Sequence, residues 1–322
     1  MKARVFESAL GPAMQQLLEL RRSLGYADQT LTKLFAFLDR YASAHGHTEP
    51  WLTRETTESW ASSNPPLKPA TIRRRYAGLR VLGRFLAAQH PQTYVPGAGP
   101  GLISLFRPHI YTSAEIAALF DAASRVTPAA ARYPRLFVTL IGLLYCTGLR
   151  VSEALSLRFS DVDLKQDLLV IRNTKFHKSR AVPLQPDVKQ ALVAYAGVRR
   201  TYGHGTHPDA PFFVSRRCRP CSYGWVAASF RAISCEAGLR RAPSERGPRL
   251  HDLRHTFAVH RLLAWYREGG DVQARLPLLT TYLGHATLAS TQVYLNITAE
   301  LLHEAARRFQ APSLSEPAGG RP

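Results

Sequence analysis

Acidic residues are scarce in this chain: 23 Asp and Glu stand against 42 Lys and Arg, leaving a formal charge of +19 and a pI near 10.3. That deficit excludes a charge-balanced surface and is the electrostatic footprint of a polyanionic partner. By itself it selects no particular polyanion, because ribosomal and membrane-surface proteins share it. Cysteine is equally sparse: Cys146, Cys218, Cys221 and Cys235 are too few to staple a chain of 322 residues. Cys218-Arg-Pro-Cys221 has the spacing of half a zinc site, but no second ligand pair follows it, so no metal is expected. Long apolar runs are missing as well. No stretch of about 18 apolar residues occurs, and the N-terminal MKARVFESALGPAMQQLLEL lacks the apolar core of a signal peptide. The expectation is a soluble, cytoplasmic protein without a membrane partner. With 45% hydrophobic residues the chain can bury two cores of ordinary size.

Regular structure is interrupted once, between Gln89 and Pro108, where Pro91, Pro96, Gly97, Gly99, Pro100 and Gly101 cluster. This predicts a linker over 89–107 and a division into domains at 1–107 and 108–310, followed by a disordered tail over 311–322 rich in Pro, Gly and Ser. In the first domain Leu31, Leu34, Phe35, Leu38 and Tyr41 repeat at the spacing of one buried helix face. A second helix is predicted from Pro69, with Ile72, Tyr76, Leu79 and Leu86 on one face. The same helix carries Arg73, Arg74, Arg75, Arg80 and Arg84, and no acidic residue lies between Thr71 and His90. A solvated face usually mixes signs for i,i+4 pairing, so this set is assigned to phosphate contact along DNA.

The second domain opens on Thr112-Ser113-Ala114-Glu115, a capping box ahead of Ile116, Leu119 and Phe120. An apolar helix over about 135–146 runs into Thr147-Gly148-Leu149-Arg150, where the glycine permits a sharp change of direction. Short strand-like runs follow at Leu168 to Ile171 and Arg180 to Leu184, joined by a polar turn holding Lys175 and Lys178. The pattern is then helical through Arg308. The expected fold class is mainly α, in two domains, with one small antiparallel β sheet in the second.

Arg150, Lys175, His251, Arg254, His285 and Tyr294 are the chemically complementary set, lying in TGLRVSEALSL (147–157), TKFHKSRAVPL (174–184), HDLRHTF (251–257) and LGHATLASTQVYL (283–295). Cations and donors of this kind neutralise the charge of a pentacovalent phosphorus, while a phenol can serve as an oxygen nucleophile. Each residue alone has a plainer explanation. Arg150 and Glu153, three apart, would make an ordinary salt bridge, with Glu153 holding the guanidinium in place. His251 and Arg254 would be a solvated pair, His285 a helix-boundary histidine, and Tyr294 a packed aromatic. His255 is expected to be structural, because one residue past Arg254 turns it about 100 degrees around the helix.

Occurring together and in this order, these segments resemble the tyrosine recombinase, or phage integrase, family over about residues 110 to 310. The first domain is similar to that family's helical core-binding domain in length, helical pattern and basicity. The resemblance implies a site-specific DNA recombinase with Tyr294 as the nucleophile of a 3'-phosphotyrosine intermediate. Arg150 and Arg254 would then grip the non-bridging oxygens, Lys175 would protonate the leaving 5'-oxygen, His251 would assist proton removal from Tyr294, and His285 would hydrogen-bond the phosphate. It further implies double-stranded DNA as partner, a homotetramer or mixed recombinase tetramer on that DNA, no cofactor, and a segment after the tyrosine that docks on a neighbouring protomer. A type IB topoisomerase-like enzyme or a non-cleaving DNA-binding regulator is the alternative.

Overall fold

A computed structural model describes residues 6–26, 28–63, 67–99, 107–125, 134–172, 179–201, 203, 205–215, 219–296 and 298–309. The chain divides into two compact units, Met1–Phe106 and Arg107–Pro322. Among the described residues no helix is long and apolar enough to cross a membrane.

The first unit is all helical: α1 Gly11–Ser23, α2 Gln29–Ala44, α3 Arg54–Ser62 and α4 Pro69–Ala87. Its core gathers Leu10, Met14, Leu18, Phe35, Leu38, Trp60, Leu79 and Leu82, the apolar stripes that the 3.6-residue period places on facing surfaces. Buried Asp39 of α2 accepts hydrogen bonds from the backbone N–H of Glu7 and Ser8 and from the Ser8 hydroxyl, which pins the entry to α1. Part of the expected linker belongs to this unit. Thr93 and Pro96 are buried, and the Tyr94 N–H donates to the Leu52 carbonyl at 2.8 Å. Proline and glycine prevent regular structure here, but the remaining backbone groups still find partners.

The arginines of α4 separate into two groups. Arg73, Arg74 and Arg84 are exposed. Arg75 instead turns inward: its guanidinium donates to the Trp60 carbonyl at 2.6 Å and the Ser63 carbonyl at 3.0 Å, and stacks over the Trp60 ring. The Trp60 carbonyl also accepts from the Ser63 N–H and hydroxyl, so Arg75 adds a further donor at the C-terminal end of α3. Arg80 donates to the Gly97 carbonyl. The sequence pattern could not separate these roles, because consecutive arginines look alike until the neighbouring helix end is placed.

The second unit runs α5 Ser113–Arg125, α6 Pro134–Thr147, α7 Val151–Ser156, β1 Val162–Asp163, β2 Leu168–Ile171, β3 Arg180–Pro183, α8 Pro186–Thr201, α9 Tyr223–Glu236, α10 Asp252–Arg267, α11 Val272–Leu283, α12 Ala289–Gln292, a 3-10 turn Val293–Asn296, and α13 Ala299–Phe309. The capping box forms, with the Thr112 N–H on Glu115 at 2.8 Å and the Glu115 N–H on the Thr112 hydroxyl at 3.2 Å. The three strands form an antiparallel sheet in the order β1-β2-β3, with Leu169 opposite Val162 and Val182. β1 is the strand that sequence pattern missed, since two residues are too short for an alternation to register.

One core wraps α6, with Phe137, Leu140, Ile141 and Leu144 against Leu169, Val182, Leu192 and Phe230. A second joins α10, α11 and the C-terminal elements through Phe257, Leu262, Leu276, Leu283, Tyr294 and Leu301. Helix α13 therefore folds back within its own chain. Leu301 is fully buried in this cluster, and Glu300 pairs with Arg267 of α10.

Candidate active site

Two glycine turns fix the backbone of the site. Gly148, after α6, has φ 60°, and Gly284, after α11, has φ 63°, both in the left-handed region that suits glycine. Neither site has room for a side chain. A Cβ at 148 would lie 2.5 Å from Phe257 Cδ1, and one at 284 would lie 2.8 Å from Arg180 Nη1. The carbonyls around these turns face the cationic cluster. Arg254 donates to the Gly148 carbonyl at 2.7 Å and the Leu283 carbonyl at 2.6 Å, and Arg150 donates to the Gly284 carbonyl at 2.9 Å.

Arg150 precedes the first turn of α7, and Glu153, one turn later, receives its Nη1 at 2.7 Å and its backbone N–H at 3.0 Å. The expected Arg150–Glu153 pair thus forms. Glu153 also takes a fork from Arg180 of β3, at 3.2 Å and 2.8 Å, and Arg180 Nε donates to the Tyr282 carbonyl at 2.8 Å. Burial opposes ionisation of Glu153, but the bonds and charge of Arg180, then those of Arg150, hold its carboxyl at about 2. Its charge is therefore constant at neutral pH. Arg150 retains 30% exposure of its side chain, whereas Arg254 is 2% exposed. Burial and the nearby Arg150 push Arg254 down to about 10, which still leaves it cationic at neutral pH.

The histidines and the tyrosine close around Arg254. His251 immediately precedes α10, where Asp252 is buried and accepts from the Arg249 backbone N–H at 2.9 Å and side chain at 2.8 Å. His285 follows Gly284, and its Nδ1 lies 2.8 Å from the hydroxyl of buried Thr291. Tyr294 sits on the 3-10 turn, 3% exposed, with its ring centroid 6.1 Å from that of His285. Burial raises the Tyr294 phenol above its ordinary range, while the charge of Arg254, its hydrogen bond, and the charge of Arg150 act to lower it. Burial followed by the surrounding arginines lowers His251 and takes His285 to about 4. The resting site thus holds fixed cations, neutral imidazoles and a protonated phenol.

Five of the six expected site residues, Arg150, His251, Arg254, His285 and Tyr294, converge on this cluster, together with Glu153. Lys175 and Lys178 lie outside the described residues. The structure corrects one expectation. His255 reaches the nucleophile candidate, with Nδ1 3.2 Å from the Tyr294 hydroxyl. The rotation from Arg254 misled because the 3-10 turn arrives from the flank of α10. The informative spacing is that His251 and His255 are i,i+4 and share a face, their rings 4.9 Å apart edge to face. Arg180 and Thr291 were also missed. For Arg180 a signal existed, because strand alternation puts it on the same side as buried Val182 and Leu184, where a charge requires a partner.

Known proteins resemble this chain in sequence and in fold. Residues 110–300 match the phage integrase family. A protein named integrase/recombinase y4rB, from Sinorhizobium fredii, is 35% identical over 309 residues, covering 94% of this chain and 98% of the relative. The tyrosine recombinase XerC of Bacillus subtilis is 34% identical over 191 residues, covering 58% of this chain and 57% of the relative. Among solved structures, the Tn1549 transposon integrase in complex with transposon right end DNA has a similar fold, with a TM-score of 0.65 at 17% identity, covering 93% of this chain and 99% of that one. The XerH site-specific recombinase bound to its palindromic difH substrate gives 0.64 at 21% identity, covering 93% of this chain and 85% of that one.

Proposed function

Because the chain belongs to the phage integrase family of tyrosine recombinases, we propose that it cleaves and rejoins double-stranded DNA at specific sites through a 3'-phosphotyrosine at Tyr294. The observation that carries this is the placement of a buried phenol hydroxyl against Arg254 and an imidazole, within a cage whose second arginine, Arg150, is anchored and partly exposed. Attack on phosphorus builds negative charge on the non-bridging oxygens. Arg150 and Arg254 supply fixed forks for those oxygens, and anchoring on carbonyls means that little reorganisation is needed when the phosphate enters.

Arrival of a phosphate also changes the proton balance. Burial and then the arginines lower His251 and His285, and the phosphate's negative charge offsets the arginine part, so both histidines become better able to share a proton. His285, oriented by Thr291 through Nδ1, presents Nε2 to the phosphate. Lys175 is assigned as the acid for the 5'-oxygen. Tyr294 returns when the free 5'-hydroxyl attacks the phosphotyrosine, so the phosphoester energy is kept for religation without a cofactor.

Arg73, Arg74 and Arg84 on the exposed side of α4 support contact between the first unit and the DNA backbone. The name of one relative, integrase/recombinase y4rB, fits a mobile-element role. A tetramer on paired sites would carry out the exchange. The test is a suicide DNA substrate bearing the element's own junction, with wild type and Tyr294→Phe in parallel. A denaturant-resistant adduct on the 3' side, absent from the variant, is expected. Specific binding without an adduct would instead identify a regulator, and relaxation of supercoils without two-site exchange a topoisomerase-like enzyme.

A further inference from the structure

The hydroxyl of Tyr294 has one imidazole within hydrogen-bond distance among the described residues, and it belongs to His255: Nδ1 lies 3.2 Å from Oη, with ring centroids 5.5 Å apart. His251 stands one ring further out, edge-on to His255 and next to the Arg254 and Arg249 charges. From this geometry, and resting on the recombinase chemistry proposed above, we infer that His255 is the catalytic proton acceptor for Tyr294, and that His251 serves the phosphate. As Oη bonds to phosphorus, the hydroxyl proton passes to His255 Nδ1. The P–O5' bond breaks, its electron pair leaves on the 5'-oxygen, and the acid assigned above protonates that oxygen. Religation returns the proton from Nδ1 to Oη.

Contact with Oη through Nδ1 requires the neutral tautomer that carries its hydrogen on Nε2 when the phenol donates. The surroundings favour that neutral form. Burial, followed by His251, holds His255 at about 4, with Arg249 and Arg254 adding repulsion and Asp252 opposing them. Tyr294 from the 3-10 turn faces it at one edge and His251 at the other. Nδ1 is therefore available as an acceptor throughout the neutral range. An entering phosphate, being anionic, raises the basicity of the ring at the moment a proton must be taken.

The experiment measures adduct formation on the suicide substrate between pH 5.5 and 9.5 for wild type, His255→Ala, His255→Asn and His251→Ala, alongside DNA affinity by gel shift. Loss of a general base typically costs about 100-fold or more, so His255→Ala should bind DNA within about twofold of wild type yet cleave about 100-fold more slowly. Its rate should climb with pH as hydroxide replaces the missing base, and added imidazole should restore part of it. His255→Asn keeps an acceptor near the Nδ1 position but cannot take the proton, so it should fold and bind normally and remain slow. Full activity of His255→Asn would overturn the acceptor role, as would a His255→Ala defect that is the same at every pH and unaffected by imidazole. A wild type that forms no adduct would instead sink the recombinase assignment itself.

Discussion

Replacing Arg180 by alanine removes the fork that holds Glu153 and, through Glu153, the side chain of Arg150. The cost can be worked out in two ways. Glu153 is held at about 2 against an ordinary 4.5, and a difference of that size corresponds to roughly 3 kcal/mol of stability at neutral pH. Removing one partner of a buried pair costs about 3–5 kcal/mol, and the pair here is 11% and 9% exposed, with Arg150 left as a remaining partner at the lower end of that range. The first figure is a ceiling, because Arg150 keeps part of the depression, and the second gives about 3 kcal/mol at pH 7. The pH dependence has a definite sign. Glu153 is depressed in the folded state, so its contribution is complete above about pH 4.5 and drains away as pH falls towards about 2. In Arg180→Ala the depression shrinks, so stability is lower at pH 7 but falls less steeply on acidification. Urea denaturation of the full chain between pH 3 and 7 would measure both. Arg180→Lys, which keeps the charge and loses the fork, should lie between the two. A variant as stable as wild type at pH 7, or one whose acid slope is unchanged, would refute the reasoning.

Further outcomes follow from other contacts. Gly284→Ala should lose about 1–2 kcal/mol from the left-handed backbone alone, and more because its Cβ would displace the Arg180 guanidinium; thermal unfolding measures it. Thr291→Val is close in shape but leaves His285 Nδ1 without its hydroxyl, and adduct formation should slow roughly 10- to 100-fold with little change in DNA affinity, as a competition gel shift would show. Charge reversal at Arg73, Arg74 and Arg84 should weaken binding and flatten its salt dependence by about 0.9 per lost phosphate contact, whereas an unchanged slope would remove α4 from the DNA interface. Reversal at Arg75 should act differently, lowering the melting temperature of the first unit because the Trp60 and Ser63 carbonyls lose the guanidinium and the Trp60 ring loses its stacking partner.

Much of the fold and of the site is legible in the amino-acid sequence. The apolar period marks α2 and α4, the Thr112–Glu115 box marks the start of α5, and the segments around Arg150, Arg254 and Tyr294 mark the candidate site, because residue type and spacing hold that information locally. What stays hidden is long-range. The bond between His255 and Tyr294 spans 39 residues, and Arg180 meets Glu153 across 27 and the Tyr282 carbonyl across 102. Nothing in a window of a dozen residues distinguishes Arg75, which closes a helix, from Arg74, which faces water. The rejection of His255 shows the same limit from the other side: rotation about one helix says where a side chain starts, and the element packed beside it decides what it meets.

The carbonyls of Gly148, Leu283 and Gly284 have a consequence for how this enzyme tolerates change. Part of the arginine cage is tethered to main chain, which substitution at those positions does not delete, so these three bonds persist as long as the two turns keep their shape, whereas the Glu153–Arg180 fork is lost with its side chains. A library randomised at Gly148, Leu283 and Gly284 should therefore return survivors that vary at 283 and keep the pair of glycines. For an engineer seeking new target sequences, that separates what can be rewritten from what must be inherited.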